Sequence, residues 1–499
     1  MRQVLDVQYD QLLLLAPSVE EWIGPEHPAR FIREVVEKMD LKAMKFDTLV
    51  REEGGVAYAP RLLLSAWLYG YFRKVRSTRA LERACREEMG FIWLTGNHRP
   101  DHNSLWRFWS EHKQGVKEVF VTSVKVAIEM GLVGMVLQAV DGTKVMAACS
   151  GRGGYDQKQL TTLLEELEIE VKQAEEQIAQ AGAHSSEKIP EQLHQKQQLR
   201  DRVKKALDQV QAGEKKHVHP LEPEATRMEC DGRNRFAYNA QAVVDQKAQI
   251  ILASEVTSQA NDSQQLVGMV AQAQANSEPT TTHALVLADG GYANAAQAQA
   301  AQQCGYQVVM PPPNSWRDTS NPYHAAHFQH DAQRQVVICP QKRELPLQRI
   351  RIKEGKQVEV YRSAQVCKDC PVRSQCTKDR HGRSIDIQPG HAALVETHRR
   401  WNEPATAELY ELRASTIEPV FAQIKQNHGF RRFTHRGLQK VKAQWAMLCA
   451  TWNLRVAFSH WKKPGQGGQG LSARPHSPLS GPSGQRGRLS PLFTSAMPA

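Results

Sequence analysis

Two short apolar runs in this chain end in the same way. Met135-Val-Leu-Gln-Ala-Val140 is followed by Asp141-Gly142, and His283-Ala-Leu-Val-Leu-Ala288 by Asp289-Gly290. Runs of this length, rich in branched residues, read as buried strands. Asp-Gly closes a strand well, although it is also a common turn pair with no further role. If the two strands are neighbours, their terminal carboxylates emerge side by side. Tyr238 to Val244 and Gln249 to Val256 read as two more strands across a polar turn at Asp245-Gln246-Lys247, and Tyr306 to Met310 as a fifth. Helices are expected from Asp262, as a cap, to Ala275, and from Ala293 to Gln303. The order strand, strand, strand, helix, strand, helix, strand, and much later a helix containing Glu418, suits an α/β mixed sheet with helices on its faces.

The rest of the chain divides by pattern. From Pro28 to Leu132 the period is helical, with Phe31, Val35, Val36 and Met39 on one face, Leu62 to Leu68 forming the next apolar run and Ser77 a cap for a third helix. Arg73, Lys74, Arg76, Arg79, Arg83 and Arg86 make a basic helix-turn-helix-like segment, which reads DNA or is a solvated face. Leu160, Leu164, Leu167, Val171, Ala174, Ile178 and Ala181 follow heptad spacing, repeated by Leu199, Val203, Ala206 and Val210. An antiparallel helical hairpin results, which dimerises or packs on itself. The expected domains are therefore 1–132, helical and DNA-binding; 133–154, 221–313 and 395–463, catalytic; 155–220, the hairpin insertion; 314–394, a small insertion without long periodic runs that holds clustered cysteines; and 464–499, a disordered tail of Gly, Pro, Ser, Gln and Arg.

Length and charge narrow the class. At 499 residues several folding units are expected, and 41% hydrophobic with 23% charged residues is the balance of a globular protein. The longest apolar stretches fall far short of the ~20 residues that span a bilayer, and the N-terminus lacks the apolar core of a secretory signal. Nine cysteines without a regular pairing pattern fit a reducing compartment, so a cytoplasmic, nucleoid-associated location is expected. Twelve of the 64 Lys and Arg residues follow Glu418, and no acid does, which leaves the first 418 residues near −1 within a net charge of +11. Cations gathered at one end suit a polyanion through counterion release, or form a solvated tail.

Acids grouped at adjoining strand ends repel one another unless divalent cations neutralise them, and hard oxygen donors select Mg²⁺ or Mn²⁺. Two such ions serve in-line displacement at phosphorus. The residues also resemble a known family over about Tyr9 to Lys463: the acidic-triad (DDE) transposases of bacterial insertion sequences, with a ribonuclease-H-like catalytic domain. Ile417-Glu418-Pro419-Val420-Phe421-Ala422-Gln423-Ile424-Lys425 looks like the motif of a triad Glu followed seven positions later by Lys. Val140-Asp141-Gly142-Thr143-Lys144 resembles the first Asp motif and Ala288-Asp289-Gly290-Gly291-Tyr292 the second, with Tyr238-Asn239-Ala240-Gln241 and Asn261-Asp262-Ser263 in register between them.

The resemblance implies that Asp141, Asp289 and Glu418 hold two Mg²⁺ or Mn²⁺ ions, that Lys425 meets a phosphate near the cut, and that Tyr410 and Arg413 complete a Tyr-Arg-Glu-Lys signature. Two departures stand out: Arg413 precedes Glu418 by five positions where four is usual, and Ala422 replaces a common Gly. Pro419 disfavours helical geometry at Glu418, so a helix start or a kink is expected there. Arg431, Arg432, Arg436 and Lys440 continue the basic run as a solvated helix or, since Phe430, Phe433, Val441 and Trp445 interleave to anchor it, as the expected DNA-contacting strip. The implied partners are double-stranded DNA, as terminal inverted repeats and target, and a second copy of the chain in a homodimer; no membrane is involved. The implied activity is cleavage at the element ends and strand transfer. The alternatives are a transposon-derived DNA-binding protein without catalysis, against which the three intact acids argue, and a plain metal-dependent nuclease.

Cys339, Cys367, Cys370 and Cys376 form Cys-x27-Cys-x2-Cys-x5-Cys. Four thiolates suit structural Zn²⁺, would equally hold an iron–sulfur cluster, or remain reduced and free of metal. Cys85, Cys149, Cys230, Cys304 and Cys449 read as small apolar residues.

Overall fold

The computed structural model describes residues 18–46, 57–151, 154–181, 188–213, 215–277, 284–313, 320–353 and 356–462. The tail expected to be disordered lies outside them. Six helices come first: α1 (Pro28–Glu37), α2 (Pro60–Phe72), α3 (Thr78–Glu87), α4 (Met89–Leu94), α5 (His102–Glu111) and α6 (Lys113–Glu129). Proline opens α1 and α2, where its missing N–H costs nothing. Ser77 Oγ accepts from Ala80 N at 3.2 Å and caps α3, while Asp101 accepts from Ser104 N at 2.7 Å and caps α5.

Strand β1 (Leu137–Met146) follows, then the long hairpin α7 (Gln157–Ala181) and α8 (Lys188–Gln211). Leu160, Leu167, Val203, Ala206 and Leu207 close a small core of its own, with Val218 beneath. The chain returns as β2 (Thr226–Cys230), β3 (Arg233–Asp245), β4 (Ile250–Thr257), α9 (Leu266–Asn276), β5 (Leu285–Ala288), α10 (Ala295–Gln303) and β6 (Gln307–Val309). These strands form one mixed sheet in the order β2-β3-β1-β5-β6, with β4 also on β3. Pairs β1–β3, β2–β3 and β3–β4 are antiparallel; β1–β5 and β5–β6 are parallel. A mixed α/β sheet beside a helical N-terminal region is the ribonuclease-H-like fold class that the resemblance implies.

Three local expectations are corrected. First, β1 does not end at Asp141: it runs on to Met146, because residues 141–146 keep their antiparallel partners in β3 after the parallel partner β5 has stopped at Ala288. Second, α9 starts at Leu266, and Asp262 does not cap it; its carboxylate is taken by Lys144, Asn239 and Gln241. Third, strand β2 was not expected: its residues alternate in burial, but over only five positions, too short a run to stand out from their neighbours.

The described part of residues 314–394 is better built than the sequence suggests. It holds β7 (Gln329–Asp331), β8 (Val336–Ile338), β9 (Glu344–Lys353), β10 (Lys356–Arg362), α11 (Ala364–Lys368), α12 (Arg373–Cys376) and β11 (Ser384–Ile387). The strands make an antiparallel sheet in the order β11-β10-β9-β8-β7, cored by Phe328, Val337, Leu345, Tyr361, Ile385 and Ile387.

The last helices are α13 (His391–Trp401), α14 (Pro404–Ala422) and α15 (Leu438–Trp461). Helix α14 neither starts nor stops at Glu418: it begins at Pro404 and continues through Pro419. Proline cannot donate to the carbonyl four residues back. That carbonyl, Ser415 O, accepts from Gln249 Nε2 at 3.0 Å, and the next turn widens into a π-helix over Gln423–Asn427. Helix α15 buries residues on all sides and joins the regions: Trp445 Nε1 donates to Gln241 O at 3.0 Å, Asn453 pairs with both backbone groups of Ile251 at 2.8 Å as a further strand would, and Gln444 Nε2 donates to the Tyr71 hydroxyl at 3.1 Å. One apolar core therefore runs from Ile23 to Ala457 through the N-terminal helices and the mixed sheet. Among the described residues no helix is long and apolar enough to cross a membrane.

Candidate active site

The parallel register of β1 and β5 builds the site. Leu137 pairs with Leu285 and Val140 with Ala288, so the next residue on each strand is an aspartate, about one strand spacing (~4.8 Å) from its neighbour. By alternation Asp141 points to the face of Leu137, where Leu287 and Val309 are covered by Trp401, Leu409, Tyr410 and Leu412. From α14 on that face, Arg413 Nη1 reaches Asp141 Oδ2 at 3.0 Å, with both side chains largely buried. Gly142 N donates to Asp141 Oδ1 at 2.8 Å. Burial pushes the Asp141 carboxyl above the ordinary carboxylate range and the nearby Asp289 adds to this, while Arg413 and the Gly142 amide act the other way. The Arg413 guanidinium also lies 5.9 Å from the Tyr410 ring. Asp289 caps a single 3₁₀ turn, Gly290–Tyr292, by accepting from Gly291 N at 2.7 Å.

Asp141, Asp289, Arg413 and Tyr410 are thus brought to one place. Glu418 is exposed on α14, five residues beyond Arg413. Lys425 lies in the π-helical turn, its Nζ 3.9 Å from Asp231 in the β2–β3 turn, and Arg431 meets the other oxygen of Asp231 at 3.3 Å. Arg431 to Phe433 are extended, not helical, and run beside the end of β1: Met146 N donates to Arg431 O at 3.1 Å and Phe433 N to Met146 O at 2.9 Å. Arg436 Nε donates to Ala148 O at 3.0 Å, and Lys440 Nζ sits 5.0 Å from the Trp106 ring. Phe430, Phe433 and Trp445 are buried beneath, so Arg431, Arg432 and Arg436 are held as an exposed row that continues the line of β1 beyond Asp141.

Sequence reasoning missed what surrounds Asp262. Its Oδ1 accepts from Asn239 Nδ2 and Gln241 Nε2, both at 2.6 Å, and lies 3.4 Å from Lys144 Nζ. The signal was present, since Lys144, Asn239 and Gln241 alternate along paired strands, but a capping aspartate was the simpler local reading.

Cys339, Cys367, Cys370 and Cys376 line one small cavity of about 30 Å³, with Phe328, Leu345 and Arg383. The Cys339 turn between β8 and β9 is closed by Cys339 N to Arg343 O at 2.9 Å and Lys342 N to Cys339 O at 2.7 Å. Burial raises the Cys376 thiol above its ordinary range, and each of the other three sulfurs adds to that rise. None of the four is in a disulfide. Among the described residues no group of three His, Cys, Asp or Glu side chains is placed to hold a metal ion. The donor chemistry fits two different groups: hard carboxylate oxygens of Asp141 within β1 and of Asp289 just past β5, and four thiols around one cavity.

Two family models match the chain. One, described as a transposase DDE domain, covers residues 338–458; the other, described as a transposase domain, covers 17–111. Both matches are to transposase domains, and together they support a DDE transposase of an insertion sequence. The first match takes in the cysteine cluster, Arg413, Glu418 and Lys425, and the second takes in α1 to α5. No curated protein matches the chain.

Proposed function

We propose that this chain binds the inverted repeats of an insertion sequence, cleaves the DNA at their ends and joins the freed 3′ ends to target DNA. The observation that carries this reading is the parallel β1–β5 register, which sets Asp141 and Asp289 directly after the paired Val140 and Ala288, with Arg413 on Asp141. Asp141 and Asp289, joined by Glu418 from α14, would hold two Mg²⁺ or Mn²⁺ ions, which when bound supply an activated oxygen nucleophile and stabilise the leaving oxygen. Arg413 opposes the effect of burial on the Asp141 carboxyl and aligns it, and Tyr410 backs Arg413. Lys425, with Arg431, Arg432, Arg436 and Lys440, neutralises phosphates flanking the cut. Cleaving two ends together calls for a second copy of the chain, acting at the nucleoid.

The test is a cleavage and strand-transfer assay on labelled terminal-repeat DNA. Asp141→Ala, Asp289→Ala and Glu418→Ala each abolish cleavage while end binding stays close to wild type. Retained cleavage with Mg²⁺ in any one variant removes that residue from the set. A wild-type protein that cuts without joining is a nuclease, and one that only binds is a non-catalytic DNA-binding protein.

A structural Zn²⁺ is proposed at Cys339, Cys367, Cys370 and Cys376, supported by their shared cavity. Elemental analysis of protein purified without chelators should find about one zinc per chain; finding iron instead would assign a cluster, and finding neither would remove both metals.

A further inference from the structure

We propose that Asp262 is a positioning residue of the active site, orienting Gln241 and through it the Tyr292 hydroxyl that fixes the turn carrying Asp289. The inference rests on the reading of Asp141 and Asp289 as catalytic acids.

Asn239, Gln241 and Tyr292 are all fully buried. A buried primary amide has two orientations that differ only in where it donates and where it accepts, and its neighbours choose between them. A carboxylate accepts only. Asp262 Oδ1 therefore draws the Gln241 Nε2 toward itself at 2.6 Å, where the Asn239 carbonyl also accepts at 2.9 Å. With its donor end so fixed, Gln241 turns its Oε1 to the Tyr292 hydroxyl, which donates to it. Tyr292 is the last residue of the 3₁₀ turn that Asp289 caps. A chain of oriented hydrogen bonds thus runs from Asp262 to the backbone that presents Asp289.

Asp262 also bears on the other acid. Gly142, the residue after Asp141, faces the Asp262 cluster: a Cβ there would lie 2.6 Å from Asp262 Oδ1 and 2.7 Å from Asn239 Oδ1. A Cβ on Gly291 would lie 2.9 Å from Asp289 Oδ1 and 3.8 Å from Asp262 Oδ2. The backbones behind both catalytic acids are thus packed on the same carboxylate. Lys144, 3.4 Å away, offsets its charge. Without the acceptor at 262 the Gln241 amide is free to reverse, the Tyr292 hydroxyl meets an N–H group that cannot accept, and the Asp289 turn loosens.

The experiment uses the full chain and terminal-repeat DNA, reading single-turnover cleavage rate, end-DNA affinity and Mn²⁺ affinity by calorimetry. Asp262→Ala should slow cleavage by on the order of 100-fold and weaken Mn²⁺ binding by on the order of tenfold, with end-DNA affinity unchanged. Asp262→Asn keeps one accepting oxygen and should recover most of the rate. Tyr292→Phe should also slow cleavage, and Asp262→Ala with Tyr292→Phe should be no slower than Asp262→Ala alone, since both break one chain. Wild-type cleavage by Asp262→Ala, an Asn variant as inactive as Ala, or rate losses that multiply in the double variant would each overturn the proposal. Tyr292→Phe, which leaves every charge in place, tests it even if Asp262→Ala fails to fold. Should Asp141→Ala still cleave, the reading of the site itself fails, and that outcome is distinct from all of these.

Discussion

His435 lies flat against two indoles, 5.4 Å from the Trp106 ring and 5.0 Å from the Trp109 ring, with interplanar angles of 8° and 9°. Burial lowers its imidazole to about 4, and the nearby Lys440 pushes the same way. Its folded value is thus below the unfolded value near 6.5. Between about pH 6.5 and 4 the unfolded chain takes up a proton that the folded chain refuses, so stability falls as pH falls through that window. At ~1.4 kcal/mol per unit the loss is on the order of 3 kcal/mol. His435→Phe keeps the stack and cannot titrate; its melting temperature should depend less on pH between 4 and 6.5 than that of wild type. An unchanged slope would mean that the folded protein does not hold this imidazole neutral. The same residue-scale logic governs Asp141, where burial is opposed by one guanidinium that a substitution at 413 would remove.

At the scale of elements, the proposed DNA-contacting strip depends on the segment after α14. Had residues 425–442 formed one helix, the cations would spread around its circumference. Instead the π-turn ends at Asn427, the chain runs extended along Met146, and α15 begins only at Leu438. Met146 is five residues past Asp141 on β1, or roughly 16 Å at ~3.3 Å per residue, so Arg431 and Arg432 stand beyond the acids on the same line. Arg431→Ala with Arg432→Ala should weaken end binding equally for all sequences and reduce the slope of log affinity against log salt by about one to two units. The lower figure is favoured because Arg431 already shares Asp231 with Lys425. A double variant with the wild-type salt slope would show that this row faces solvent and the DNA lies elsewhere.

For the whole molecule the main fact is the single core. The sequence suggested a helical domain ending near Leu132, yet α15 lies against α2, α6 and β4, and Phe31 packs on Phe458 and Trp461 at 5.6 and 5.8 Å. Hairpin α7–α8 and the β7–β11 sheet have separate small cores. Hydrogen exchange at rising denaturant should therefore show α2, α6, β3 and β4 losing protection together, as one cooperative unit. The hairpin and the cysteine sheet are free to open earlier. Loss of protection in α2 and α6 well before β3 would show that the helical region is an independent domain after all.

Much of this was legible from sequence because burial has a period. The buried strands that carry Asp141 and lead to Asp289, the hairpin heptads and the Ser77 cap are all local patterns, and each stands where that pattern put it, except that β1 runs on past Asp141 to Met146. What the sequence could not decide was the choice of partner. Asp262 has the chemistry of a helix cap, and only the folding of β1 and β3 beside it supplies the three donors that take it instead. Pro419 should disrupt a helix, and α14 survives it because Gln249, 166 residues away from Ser415 in the chain, donates to the orphaned carbonyl. Three of the five strands of the cysteine sheet have four residues or fewer, and their apolar faces are completed only when the strands and the two short helices come together. Composition and period determined which segments are buried and which carry charge. Tertiary structure alone decided which charge meets which, because a hydrogen bond or ion pair depends on distances of a few ångströms between residues that are hundreds of positions apart.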